Sequence, residues 1–180
     1  MKTRLPIRSM CYIAIFTAVI AACAQLTIPM PAGVPLTLQT FAIMLTGVVL
    51  GAKKGTAAVV VYLLLGMVGA PVFQNFTGGL GVVFGPTGGF ILSFPIIAFA
   101  TGLGAARKNI VWLAMGLVGG VAVNYFCGMV YFSFNMETDL YYAFTVCVLP
   151  FLVTDLIKLI MAAVLGKLIK TALVKNKLLT

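Results

Sequence analysis

Apolar residues fill long, nearly unbroken runs in this chain, and polar residues gather in the gaps between them. The runs cover 10–28, 36–52, 55–72, 88–106, 110–134 and 141–167. A helix rises about 1.5 Å per residue and the hydrocarbon layer is about 30 Å thick, so about 20 apolar residues cross it. The pattern predicts an all-α membrane protein of six transmembrane helices, folded as a single membrane domain over 1–180. The second run is short. The first follows "MKTRLPIRSM" and has the outline of a secretory signal, with Ala22 and Ala24 at a cleavage-like spacing. The bundle needs that run as a helix, so it is read as a retained span.

Two of the gaps are unusual. "IPMPAGVPLTLQ" holds three prolines and a glycine, which predicts a rigid connection folded inward and a late start for the second helix. "VFQNFTGGLGVVFGPTGGF" is too apolar for a solvent loop and too rich in glycine for a stable helix. Irregular backbone near membrane depth is tolerated where protein or a cavity surrounds it. The segment reads either as a lid over a binding site, with Gly78, Gly79, Gly81, Gly85 and Gly88 giving it freedom, or as a plain interfacial turn.

Composition agrees with the membrane reading. Hydrophobic residues make up 62% of the chain and charged residues 8%, and the mean hydropathy is +1.17. A soluble domain carries about 25% charged residues. The net charge of +9 does not mark a nucleic-acid partner, because the basic residues cluster at the ends of runs without interleaved aromatics. They set the topology instead. Lys2, Arg4 and Arg8 precede the first run, Lys53 and Lys54 follow the second, and Arg107 and Lys108 follow the fourth. Lys167, Lys170, Lys175 and Lys177 end the sixth. If six spans alternate, these eleven of the twelve basic residues share one side. The positive-inside rule then puts both termini in the cytoplasm. Glu137 and Asp139 fall on the opposite side.

The exception is Lys158, inside the sixth run, with Asp155 three residues before it. That spacing puts both side chains on one helix face. Charges at mid-membrane cost about 2.5–3.5 kcal/mol each on the lenient insertion scale, so they must face the bundle interior or a cavity. Such a pair can lock two helices together, form the polar floor of a ligand pocket, or serve a proton relay. A relay needs further acids, and no other acid lies in a run. Other polar residues that could converge with the pair are Asn124, Gln39, Thr37, Gln74, Asn75, Thr77 and Thr87, with Phe73, Tyr62, Tyr125 and Tyr131 as aromatic wall candidates. Asn124 alone serves as readily as helix glue. Trp112 reads as an interfacial anchor. The expected product is an outward-facing pocket with apolar walls and a charged pair at its base.

Ala14, Ala18 and Ala22 repeat every four residues on the first helix. This small-residue face suits close helix packing, inside the bundle or against another membrane protein. The four cysteines lack CxxC spacing and lie in or beside apolar runs, which favours packing residues, with a disulfide as the alternative. There is no histidine, which removes the common zinc sites and histidine acid–base chemistry. No P-loop, H-E-x-x-H or G-x-S-x-G motif occurs, so an enzyme is not expected. Nor is a cofactor expected.

The strings "VPLTLQTFAIMLTGVVLG", "YLLLGMVGAPVF" and "GPTGGF", with the Asp–x–x–Lys of the last helix, resemble the BioY family over about residues 10–170. These are biotin-specific S components of energy-coupling factor (ECF) transporters. The resemblance implies a six-helix S-component bundle in the bacterial cell membrane, capturing biotin from outside. It implies as partners a transmembrane coupling subunit (the T component) and two ABC-type ATPases, which would supply the ATP hydrolysis. It further implies that Asp155 and Lys158 contact biotin, that Asn75 is a ligand contact, and that the face of Ala14 and Ala18 docks on the coupling subunit. An S component for thiamin or riboflavin, or a stand-alone proton-coupled carrier, are the alternatives.

Overall fold

The computed structural model describes residues 7–30, 34–107 and 109–176. Lys2, Arg4, Lys108, Lys177 and residues 31–33 of the first outer loop lie outside the described residues. Among the described residues, five helical stretches are long and apolar enough to cross a membrane: Ile7–Ala24, Gln39–Met67, Gly88–Ala106, Ile110–Asn135 and Leu140–Lys175.

Helix α1 (Ile7–Ala24) leads into a short antiparallel pair of strands, β1 (Thr27–Ile28) and β2 (Leu36–Thr37), with Thr27 opposite Thr37 and Ile28 opposite Leu36. Helix α2 (Gln39–Met67) then takes up both runs expected over 36–52 and 55–72, but it is not straight. Gly51 has φ 77° and ψ 175°, a conformation open essentially to glycine alone. The chain reverses there. Gln39 donates to the Tyr62 hydroxyl at 2.6 Å although the two are 23 residues apart. A straight helix would separate them by about 34 Å. The two arms, 39–50 and 52–67, pack side by side, and a methyl group on Gly55 would lie 3.1 Å from the Gly47 Cα.

A 3-10 turn (Gln74–Phe76) and the four-residue helix α3 (Leu80–Val83) follow, then α4 (Gly88–Ala106) and α5 (Ile110–Asn135). The α4 bounds coincide with the run read from sequence. Asn109 caps α5, its Oδ1 accepting from Val111 N at 2.9 Å, which satisfies one of the free amides at a helix start. The run over 141–167 was expected as one helix. It is instead α6 (Leu140–Cys147), a 3-10 turn (Leu149–Phe151) and α7 (Leu152–Lys175). Pro150 accounts for the break, since it lacks an amide proton and its ring collides with the preceding turn. The break moves Asp155 from mid-helix to the first turn of α7.

The core runs through the packed α1, α2, α4, α5 and α7, with Ile20, Ile43, Met44, Val59, Tyr62 and Ile97 fully or almost fully buried. Small residues allow the close approaches. A methyl group on Gly47 would lie 2.7 Å from the Ala98 carbonyl, and one on Gly102 would collide with the backbone at Gly51 and Ala52. The Gly51 reversal therefore sits against the C-terminal half of α4. Lys170 of α7 reaches the same end and donates to the Ala105 carbonyl at 3.1 Å, where a cation suits a helix C-terminus. Arg107 stacks over Trp112 at 4.8 Å. Ile13 and Phe16 of α1 pack with Leu50, Ala58 and Leu173. The described basic residues of the helix ends thus gather at one end of the bundle, and the glycine-rich connection lies at the other.

Candidate functional site

Near the end opposite the basic cluster, α2, α4, α5 and α7 line a cavity of about 70 Å³ that is partly open to the outside. Val34, Pro35, Phe90, Ile91, Phe94 and Phe151 supply apolar wall, and Thr37, Gln39, Thr40, Gln74, Thr87, Asn124 and Tyr125 the polar positions. Asp155 and Lys158 also line it.

The charged pair is 4% and 6% exposed. Lys158 Nζ lies 2.6 Å from Asp155 Oδ1 and also donates to Thr40 Oγ1 at 3.3 Å. Tyr125 donates to the other carboxylate oxygen at 2.5 Å. An ammonium has three donors and a carboxylate about four acceptor sites, so each keeps capacity for a ligand. The place of Asp155 in the first turn of α7 adds the favourable end of the helix dipole. The floor is therefore a neutral pair that offers one acceptor and one donor side by side. Such charge-assisted bonds are about twice as strong as neutral ones.

The flanking polar groups are held from behind. Asn124 donates to the Phe90 carbonyl at 2.9 Å and to Ser93 Oγ at 2.7 Å, which ties α5 to α4. Gln39 donates to Tyr62, whose hydroxyl donates to the Val72 carbonyl at 3.1 Å.

The model of the BioY family matches residues 1–175. The chain belongs to the BioY family. It is 43% identical over 157 residues to the biotin transporter BioY of Thermotoga maritima, covering 87% of this chain and 92% of that protein. It is 37% identical over 155 residues to the probable biotin transporter BioY of Pyrococcus horikoshii, covering 86% and 91%. Among solved structures it resembles the S-component for biotin from an ECF-type ABC transporter, with a TM-score of 0.84, 30% identity and 95% of each chain covered. The family and the long apolar helices make this a multi-pass protein of the bacterial cell membrane.

Within this BioY chain the cavity brings together Asp155, Lys158, Asn124, Gln39 and Thr87 from the expected set. Two expected contacts are not on its lining. Phe73 is fully buried behind the wall, edge-on to Tyr62 with ring centroids 5.5 Å apart. Asn75 is exposed on the outer face of the 3-10 turn, where its φ of 55° turns it outward, and its neighbour Gln74 takes the lining position. The glycines expected to free a lid do not line the cavity either. Gly78 and Gly88 sit where a side chain would strike the Ala70 and Val83 carbonyls, and Gly79 has φ 96°. Ala14, Ala18 and Ala22 all lie on the exposed face of α1. Sequence reasoning missed Thr40 and Ser93 and gave Tyr125 no specific role. A hydroxyl on an aromatic deep in a span, on a helix facing a buried acid, is the signal that could have found Tyr125.

Proposed function

We propose that this chain captures biotin from the extracellular side as the substrate-binding subunit of an ATP-driven ECF transporter. The observation that carries the reading is the buried Asp155–Lys158 pair at the floor of a cavity in a BioY-family fold. Biotin's ureido ring is neutral and has N–H donors and one carbonyl acceptor. A carboxylate beside an ammonium complements both needs without net charge. Biotin's own carboxylate is repelled by Asp155 and points toward the cavity mouth, near Gln74, Thr87 and the positive N-terminal end of α4.

The two arms of α2 act as separate spans in this reading, giving six crossings with both termini in the cytoplasm. The clustering of Lys53, Lys54, Arg107, Lys167 and Lys170 at one end supports it. The chain is not an enzyme. The driving energy comes from two ABC-type ATPases through a transmembrane coupling subunit, which docks on Ala14, Ala18 and Ala22. The glycine-rich connection covers bound biotin.

Calorimetric titration of biotin into the purified chain tests the reading, with Asp155→Asn as control. Tight binding that is lost in the variant is expected, and no binding to the wild type would refute it. The pose is tested with Lys158→Met against biotin and its methyl ester. Equal loss for both supports the ureido pose; loss for the acid alone places Lys158 on the carboxylate instead.

A further inference from the structure

The mechanism above gives no part to Gln25, yet this residue makes more tertiary hydrogen bonds than any other polar side chain described at the outer end. It sits just past α1, between Ala24 and β1. Its Nε2 lies 2.9 Å from the Phe73 carbonyl, 3.4 Å from the Val72 carbonyl and 3.2 Å from the Ala21 carbonyl of its own helix. Its Oε1 accepts from Phe76 N at 2.8 Å. One carboxamide thus grips the segment 72–76 at both ends.

That segment needs a grip. Asn75 and Phe76 have φ of 55° and 54°. Asparagine tolerates this region, but a bulky aromatic rarely adopts it. Phe76 is largely exposed, so no packing of its ring explains the conformation. The bond from Phe76 N to Gln25 does. The turn is otherwise closed on itself, by Phe73 N to the Thr77 carbonyl at 3.0 Å and by the Thr77 hydroxyl to the Gln74 carbonyl at 2.7 Å.

The same segment touches the cavity from its other side. Gln74 lines the cavity, and the Val72 carbonyl receives the Tyr62 hydroxyl, which in turn accepts from the cavity residue Gln39. Gln25 also begins the connection through β1, whose partner strand carries Thr37 to the cavity wall. Both outer walls of the cavity therefore meet at one side chain, a single turn beyond Ala22 on the exposed face of α1.

We propose that Gln25 is a positioning residue that holds the 72–76 segment in its strained form at the cavity rim and transmits ligand occupancy from that rim to the outer end of α1. The proposal rests on the reading of the cavity as a ligand site. A ligand group that engages Gln39 or Gln74 stiffens the segment, and the segment is bonded to α1 through Gln25.

Hydrogen exchange on the full-length purified chain tests this with Gln25→Met, which keeps the size and removes the bonds. Without ligand, amides of 72–77 should exchange at least tenfold faster in the variant, with the middle of α4 and α5 unchanged. Unchanged exchange at 72–77 would overturn the clamp, and this arm decides even if biotin does not bind. With biotin, the wild type should gain protection at 72–77 and also at 21–26. The variant should bind about tenfold more weakly, through faster dissociation, and gain none at 21–26. Protection at 21–26 that persists in the variant would overturn the transmission. Should Gln25→Met misfold, Gln25→Glu serves. It retains the acceptor for Phe76 and loses both N–H donors, so protection should survive at the Phe76 amide while the other amides of 72–77 exchange faster.

Discussion

Tyr125 of α5 and Asp155 of α7 share a hydrogen bond of 2.5 Å across the cavity floor. With Lys158 on the other oxygen, the carboxylate is fixed in one orientation before any ligand arrives. Tyr125→Phe removes the bond while keeping the ring. A hydrogen bond to a charged group contributes about 1.5–3 kcal/mol, so biotin affinity should fall about ten- to a hundredfold. Calorimetry on the folded variant checks this. An affinity within threefold of the wild type would mean that the orientation of Asp155 does not depend on Tyr125.

Stability and binding should separate at the ion pair. Lys158→Met leaves Asp155 buried and without its cation, which should cost about 3–5 kcal/mol of stability. Adding Asp155→Asn removes the stranded charge and should restore most of the loss in thermal unfolding. Binding should remain absent in the double variant. Recovery of biotin affinity along with stability would show that the pair serves only to hold α7 in place.

Gly51 offers a purely conformational test. No atom lies within 4 Å of where its Cβ would be, yet its φ is 77°. Gly51→Ala should therefore destabilise by about 1–3 kcal/mol through backbone strain alone. The melting temperature should fall with biotin affinity per folded molecule little changed. An unaltered melting temperature would indicate that the reversal can form in another way.

The reversal also predicts sidedness. On a background with the four native cysteines replaced by alanine, Lys53→Cys and Phe76→Cys should react with an impermeant thiol reagent from opposite faces of the membrane. Lys53→Cys should be reached only from the cytoplasm. Labelling of both from one face would exclude six crossings.

Much of this was legible in the residues because lipid imposes simple rules. The fourth and fifth runs could be bounded to within a residue, as Gly, Pro and the charges Arg107 and Lys108 mark their ends. Lys158 stood out because it alone broke the charge pattern. Hydropathy was blind to breaks inside apolar stretches. It carried the sixth run through Pro150. It did separate the two arms of α2, because Lys53 and Lys54 interrupt the apolar residues there, but it did not single out Gly51 as the turning point. Asn75 entered from the family resemblance; which of Gln74 and Asn75 lines the cavity turns on two successive left-handed residues, which are not readable from "QNF". Gln25, a polar residue at a helix end, reads as ordinary surface until the chain brings 72–76 against it.

The first arm of α2 has a further consequence. Thr40 lies at the cavity floor, and every residue from 42 to 50 is buried. This column is about 14 Å of close-packed helix between the floor and the Gly51 reversal. Its large side chains include Ile43, Met44, Leu45, Val48, Val49 and Leu50. Exposing them would cost on the order of 10 kcal/mol at about 1.5–3 kcal/mol each. A molecule held at the floor has a plug beneath it, not a gate. The outer rim is the low-cost way out of the cavity.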